Sequence, residues 1–183
     1  MLFAGAAAKG GDLNLTVDLQ NTDTADFMTL VAAKGVTAKI FEGIGVRIHW
    51  ALGTPRQVDG AWIAMQFDAG APAGFRSDAL AYATPFADSG ACIHIFYDRV
   101  LEAVPRKLAS GLLGHVMAHE ITHVLERKDR HSATGVMKAH WTTADYQAMA
   151  VHPLAFEPEN VEAIREYWSG RQVVSRQVRP ARR

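Results

Sequence analysis

The chain has 183 residues, the size of one ordinary domain with room for one functional site. Hydrophobic residues make up 49% and charged residues 21%, which excludes a disordered chain, and no apolar stretch approaches the roughly 20 residues of a membrane-spanning helix. The 19 basic and 19 acidic residues balance formally, but residues 171–183 hold five arginines and no acid, so residues 1–170 carry 14 bases against 19 acids. That mildly acidic body argues against a nucleic-acid binder, and the basic tail reads as a flexible, solvated terminus.

Residues 1–8, a short apolar run ending in small residues, read like the remnant of a signal peptide and so point to a secreted or periplasmic protein. The basic leading segment is missing, and a loose Ala-rich terminus accounts for the same residues. A single domain is expected over 9–170. Leu13, Leu15, Val17 and Leu19 alternate with polar residues, the pattern of a half-buried strand over 12–19. Thr22 and Asp23 can cap a long helix whose apolar positions Phe27, Leu30, Val31, Val36 and Ile40 recur at helical spacing until Gly43 and Gly45. Two β-rich runs follow over 46–52 and 62–67, separated by the turn residues Gly53, Pro55 and Gly60. Residues 79–85 are a strand candidate that Pro85 assigns to an edge, and 92–97 are rich in β-branched and aromatic residues. A mixed sheet with helices packed on it, an α/β architecture, is the expectation.

Pro105 opens a helix expected to run to about Arg127. Leu113, Met117, Ile121, Val124 and Leu125 span one broad apolar arc, and Gly111, Gly114, Ala118 and Thr122 form a small-residue stripe beside it. Close packing on two faces implies a central helix, and the remaining face carries His115, His119 and His123. Further on, Thr142 with Asp145 resembles a capping box for a helix to about Val151, and 159–168 reads as a last amphipathic helix.

Five of the eight histidines fall between residues 115 and 140. Among them His119-Glu120-Ile121-Thr122-His123 is an H-E-x-x-H sequence on a helix, which stacks two imidazoles one turn apart on one face, within reach of one zinc ion, and leaves Glu120 beside them. The pair could also be ordinary histidines beside a solvated glutamate. On an otherwise apolar helix, however, an ionised Glu120 needs a partner. Catalytic zinc takes three protein ligands and keeps a fourth position open, so a third ligand is expected downstream, with Asp129 and His131 as candidates.

Here the segment resembles the metzincin clan of zinc peptidases, whose signature continues H-E-x-x-H-x-x-G-x-x-H or D and is followed by a turn with a methionine beneath the metal. Glu126 stands where the glycine should be and Asp129 where the third ligand should be. Because Glu tolerates the left-handed turn poorly, the helix exit is expected a few residues late, which moves the ligand to His131 and leaves Asp129 as runner-up. His131-Ser132 and then Gly135-Val136-Met137 resemble the third-ligand His-Ser and methionine turn of matrixin-type metzincins. Residues 79–85 likewise resemble the antiparallel edge strand on which those enzymes lay out an extended substrate, which would make Leu80, Ala81, Tyr82 and Ala83 substrate-binding, and 93–98 resemble the next strand. His140 and Trp141, after the methionine turn, fall where the family builds the wall of the pocket beyond the scissile bond. The metal-binding loop of matrixins is not recognisable in 68–78, so no second metal is expected and His94 reads as structural.

The resemblance implies a mixed twisted sheet of about five strands with one antiparallel edge, a long N-terminal helix, a central zinc-binding helix and C-terminal helices. It implies a monomeric zinc endopeptidase with one catalytic Zn2+ on His119, His123 and His131, Glu120 as general base and a peptide or protein as partner. Two other readings use the same residues: a non-catalytic, metal-containing module that clasps peptides or a protein, and a zinc amidase acting on a non-protein substrate. Cys92, the lone cysteine, falls in a strand, so no cysteine switch is expected.

Overall fold

A computed structural model describes residues 13–53, 61–84 and 91–177, with only the backbone for 170–177. Residues 1–8, Pro55, Gly60, Pro85 and the end of the basic tail lie outside the described residues. Five strands form one sheet: β1 (Leu13–Gln20), β2 (Val46–Leu52), β3 (Ala61–Asp68), β4 (Ala81–Thr84) and β5 (Cys92–Phe96), in the order β2-β1-β3-β5-β4. The first four strands in that order run parallel and β4 runs antiparallel to β5, with Ala81 opposite Ile95 and Thr84 opposite Cys92. This is the mixed α/β sheet that the strand pattern implied, with the one antiparallel edge that the resemblance implied. Among the described residues no helix is long and apolar enough to cross a membrane.

β1 lies between two neighbours and is covered more fully than a half-buried strand: Leu15, Val17 and Leu19 are buried, and so is Asp18 from the opposite face. Its alternation locates the strand but understates its centrality, because the short side chain of Asp18 is accommodated under cover, holding the Gln20 amide at 3.0 Å.

The long helix α1 (Phe27–Glu42) starts later than Thr22 and Asp23, which are taken up in a short 3-10 turn (Thr22–Thr24). Asp26 is the cap instead, its carboxylate accepting from the Thr29 amide at 2.9 Å and the Thr29 hydroxyl at 2.8 Å. The buried face is Leu30, Ala33, Thr37, Ile40 and Phe41, whereas Phe27 and Val31 are exposed. Small residues thus form much of that face, because the neighbouring helix comes very close.

That neighbour is α3 (Ala109–Glu126), preceded by a 3-10 turn (Arg106–Leu108) that Pro105 opens. At the crossing a Cβ on Gly114 would lie 2.6 Å from the Val36 Cβ, and the Thr37 hydroxyl donates to Gly114 O at 2.9 Å. Both the apolar arc and the small-residue stripe of α3 are buried.

The run over 92–97 ends as a strand at Phe96, and Tyr97–Ala103 forms a helix, α2, that the sequence reading did not separate. Val104-Pro105 stops it, since a residue before proline is pushed to extended backbone. The capping box is present at α4 (Thr143–Met149), which ends short of Val151. The last helix, α5 (Pro158–Gln177), runs past 168 into the basic segment, where neither Gly170 nor any proline before residue 178 interrupts it.

Candidate metal centre

Helical spacing brings His115, His119 and His123 to successive turns of one face of α3, and their surroundings separate their roles. His115 is completely buried; its Nδ1 donates to Gly111 O at 2.7 Å and its Nε2 accepts from the Leu154 amide at 2.9 Å. Both ring nitrogens are used, so it is a packing residue that ties α3 to the chain beyond α4, and burial holds it neutral.

His119 and His123 each leave one nitrogen for other work. His119 Nδ1 donates to Val136 O at 2.9 Å and His123 Nδ1 to Lys128 O at 3.1 Å. A carbonyl can only accept, so both rings carry their proton on Nδ1 and present a lone pair on Nε2. These two Nε2 atoms stand 3.0 Å apart. Burial, then the neighbouring His123, pushes His119 down to about 3, so a proton does not bridge the two lone pairs near neutral pH. A cation would.

The third ring is His131. Its centroid lies 5.2 Å from that of His119 and 5.0 Å from that of His123, and one nitrogen from each of the three falls within 4.8 Å of the others. Nitrogens about 3.4 Å apart satisfy tetrahedral zinc at its usual bond length, and His131 is the exposed member of the three. Three imidazoles, two of them oriented by backbone carbonyls, form a donor set that fits a divalent metal ion. Asp129 is exposed and stands outside this group.

The path to His131 differs from the expected one in detail. α3 keeps Glu126 helical and exits one residue later, through Arg127 at φ 52°, with the Arg127 amide donating to His123 O at 3.0 Å. An arginine in left-handed backbone costs on the order of 1 kcal/mol. The turn frees Lys128 O to orient His123.

Glu120 sits one residue along from His119 and is only 8% exposed. Burial pushes its carboxyl up to about 8, and the charge of Asp129 pushes the same way. Met137 is fully buried. The segment it belongs to is wired into the site through its backbone: Val136 O holds His119, the Val136 amide donates to Ala155 O at 3.0 Å, and Met137 O accepts from the Ser132 amide at 2.7 Å. Gly135 has φ 75° there, and a Cβ on it would collide with the Ala155 carbonyl.

Trp141 reaches the site, its ring edge-on to His119 at 5.5 Å and its Nε1 donating to Gly135 O at 3.2 Å. His140 does not; it is largely exposed, with Nδ1 4.0 Å from Asp78. The loop that carries both is clamped by Lys138, whose ammonium donates to Asp145 at 2.6 Å and holds that carboxyl down at about 2. Leu80, Ala81 and Ala83 pack against the core along the edge strand, and α3 packs against β4. Tyr82 points to the other face, stacked 4.6 Å above His94 at 3°. His94 in turn holds Asp68 at 2.8 Å, and Phe75 packs on Tyr82 and Phe96.

No protein-family model matches this chain, and comparison with curated proteins gives no match either. The geometry therefore carries the functional reading by itself. What sequence reasoning missed are groups with no signature of their own: the carbonyls of Lys128, Val136 and Ala155, and the polar contacts that α5 makes with the segment carrying His131.

Proposed function

We propose that the protein is a zinc-dependent endopeptidase of the metzincin type, with His119, His123 and His131 holding the ion and Glu120 acting as general base. The observation that carries this reading is the pair of Nε2 atoms 3.0 Å apart on rings whose Nδ1 protons are already committed, with a third imidazole alongside and a buried carboxyl next in the chain. A zinc ion held by His119, His123 and His131 would supply Lewis acidity, polarising a carbonyl and making water acidic near neutral pH.

Glu120 takes a proton from the attacking water and returns it to the departing amine, so the peptide bond is cleaved without a covalent enzyme intermediate. Beside a divalent ion held by the three imidazoles, Glu120 would carry its carboxylate form, the form that accepts a proton. β4 offers the unpaired side of an antiparallel edge, where an extended substrate adds through the outward main-chain groups of Ala81 and Ala83, while Leu80 and Tyr82, whose main chain faces β5, flank it. Trp141, edge-on to His119, forms the wall beside the residue that follows the scissile bond.

The test compares wild type with Glu120→Ala for zinc content and for cleavage of an unstructured protein. Zinc in both, with cleavage reduced at least a hundredfold in the variant, is the expected result. Zinc in both with cleavage in neither would replace the reading by a binding module, and cleavage that survives a chelator would end it.

A further inference from the structure

The third imidazole stands on a segment without regular secondary structure, and its position depends on what holds the ends of that segment. Both ends meet at one side chain. Asn160, in the first turn of α5, is completely buried. Its Nδ2 donates to Glu126 Oε1 at 2.9 Å, and its Oδ1 accepts from the Ser132 hydroxyl at 2.9 Å. Glu126 is the last residue of α3 and Ser132 directly follows His131, so a single amide grips both flanks of residues 127–131. Its neighbours in sequence reinforce the grip. Arg130 donates to Glu126 at 3.4 Å and to the Glu159 carboxylate at 3.1 Å, and the Thr134 hydroxyl donates to Glu157.

Packing alone does not explain an asparagine here. A buried amide is unfavourable unless its hydrogen bonds are made, and a leucine of similar volume fills the same space without that requirement. Both bonds of this amide go to the two flanks of the segment that carries His131. Ser132 is also bonded through its backbone to Met137 O, so the position of Asn160 is passed both to His131 and to the turn that orients His119.

We propose that Asn160 is a positioning residue: by closing residues 127–131 it presents His131 to His119 and His123, so that α5, remote in sequence, sets the affinity for the metal. This inference rests on the metal-site reading above. The test measures the Zn2+ dissociation constant by competition with a chromophoric chelator, for wild type, Asn160→Leu, Ser132→Ala, His131→Ala and the double variant Asn160→Leu with His131→Ala. Amide hydrogen exchange over 127–131 is followed in the metal-free proteins.

Asn160→Leu should weaken zinc about tenfold to a hundredfold, the usual effect of losing a partner that orients a ligand, and should speed exchange over 127–131. Ser132→Ala should weaken it less, and it carries the same test if Asn160→Leu does not fold. In the His131→Ala background Asn160→Leu should cost markedly less, only what reaches His119 through the turn at Val136. Wild-type affinity in Asn160→Leu, or an equal loss with and without His131, would overturn the proposal. A wild-type protein that binds no zinc would instead overturn the metal reading, and unchanged exchange in Asn160→Leu would still overturn the positioning role.

Discussion

Replacing Glu120 by glutamine tests the buried carboxyl without knowledge of any substrate. In the metal-free protein burial raises its pKa from 4.5 to about 8. A folded-state pKa above the unfolded one means that the native protein keeps a proton the unfolded chain has released. Stability from this group is therefore fully present below about pH 4.5 and is lost as pH rises toward 8. At 1.36 kcal/mol per pKa unit, the loss between about pH 6 and about pH 8 is about 2 kcal/mol. For a chain of 183 residues that is a fall of about 4–8 °C in melting temperature. His119 works in the opposite sense: burial lowers it from 6.5 to about 3, so stability is lost as pH falls below about 6.5. Glu120→Gln keeps the side-chain shape, removes the carboxyl titration and leaves the histidines in place. Melting curves recorded in chelator across this window should therefore show the variant gaining on wild type by about 4–8 °C as pH rises. Parallel curves for the two proteins would refute the buried, protonated state of Glu120.

The remaining predictions concern the third ligand and the helix exit. His131→Ala should lose zinc affinity by more than the roughly tenfold to hundredfold cost of losing an orienting partner, while Asp129→Ala stays near wild type; equilibrium dialysis decides, and the reverse order would make Asp129 the ligand. Arg127→Gly should raise the melting temperature by about 2–4 °C, since glycine removes about 1 kcal/mol of left-handed strain. A lower melting temperature would mean that the Arg127 contact over the Tyr167 ring at 6.0 Å outweighs that strain.

Local pattern made much of the molecule legible. The i, i+4 spacing of His119 and His123, the capping box at Thr142 and the alternation over 12–19 are short-range statements, and each has its counterpart in the structure. Where long-range packing decides, the pattern fails in physically specific ways. Val31 has the spacing of a buried helical residue and is exposed, because α1 turns its small residues toward Gly114 instead. α2 hides behind β5 because Tyr97 has strand propensity yet begins a helix, where its hydroxyl accepts from the Asp26 amide at 3.1 Å. The Glu126 argument expects the helix exit a few residues late, and it comes after one; His131 nonetheless stands beside His119 and His123.

The division between what was legible and what was not follows the division of labour in the site. A rigid helix fixes two of the three nitrogens, so their spacing of 3.0 Å is written in five residues of sequence. Everything that turns this pair into a three-imidazole site lies elsewhere: Lys128 O and Val136 O set the ring tautomers, Ala155 O anchors the turn at Val136, and Asn160 closes the segment behind His131. Three of these four groups are backbone carbonyls, which any residue type supplies, so no substitution of their own side chains deletes them. The exception is Asn160. Damage to the site should accordingly be most specific at Asn160 and Ser132, and more diffuse, through the turn itself, at Gly135, where a side chain meets both a left-handed φ and the Ala155 carbonyl.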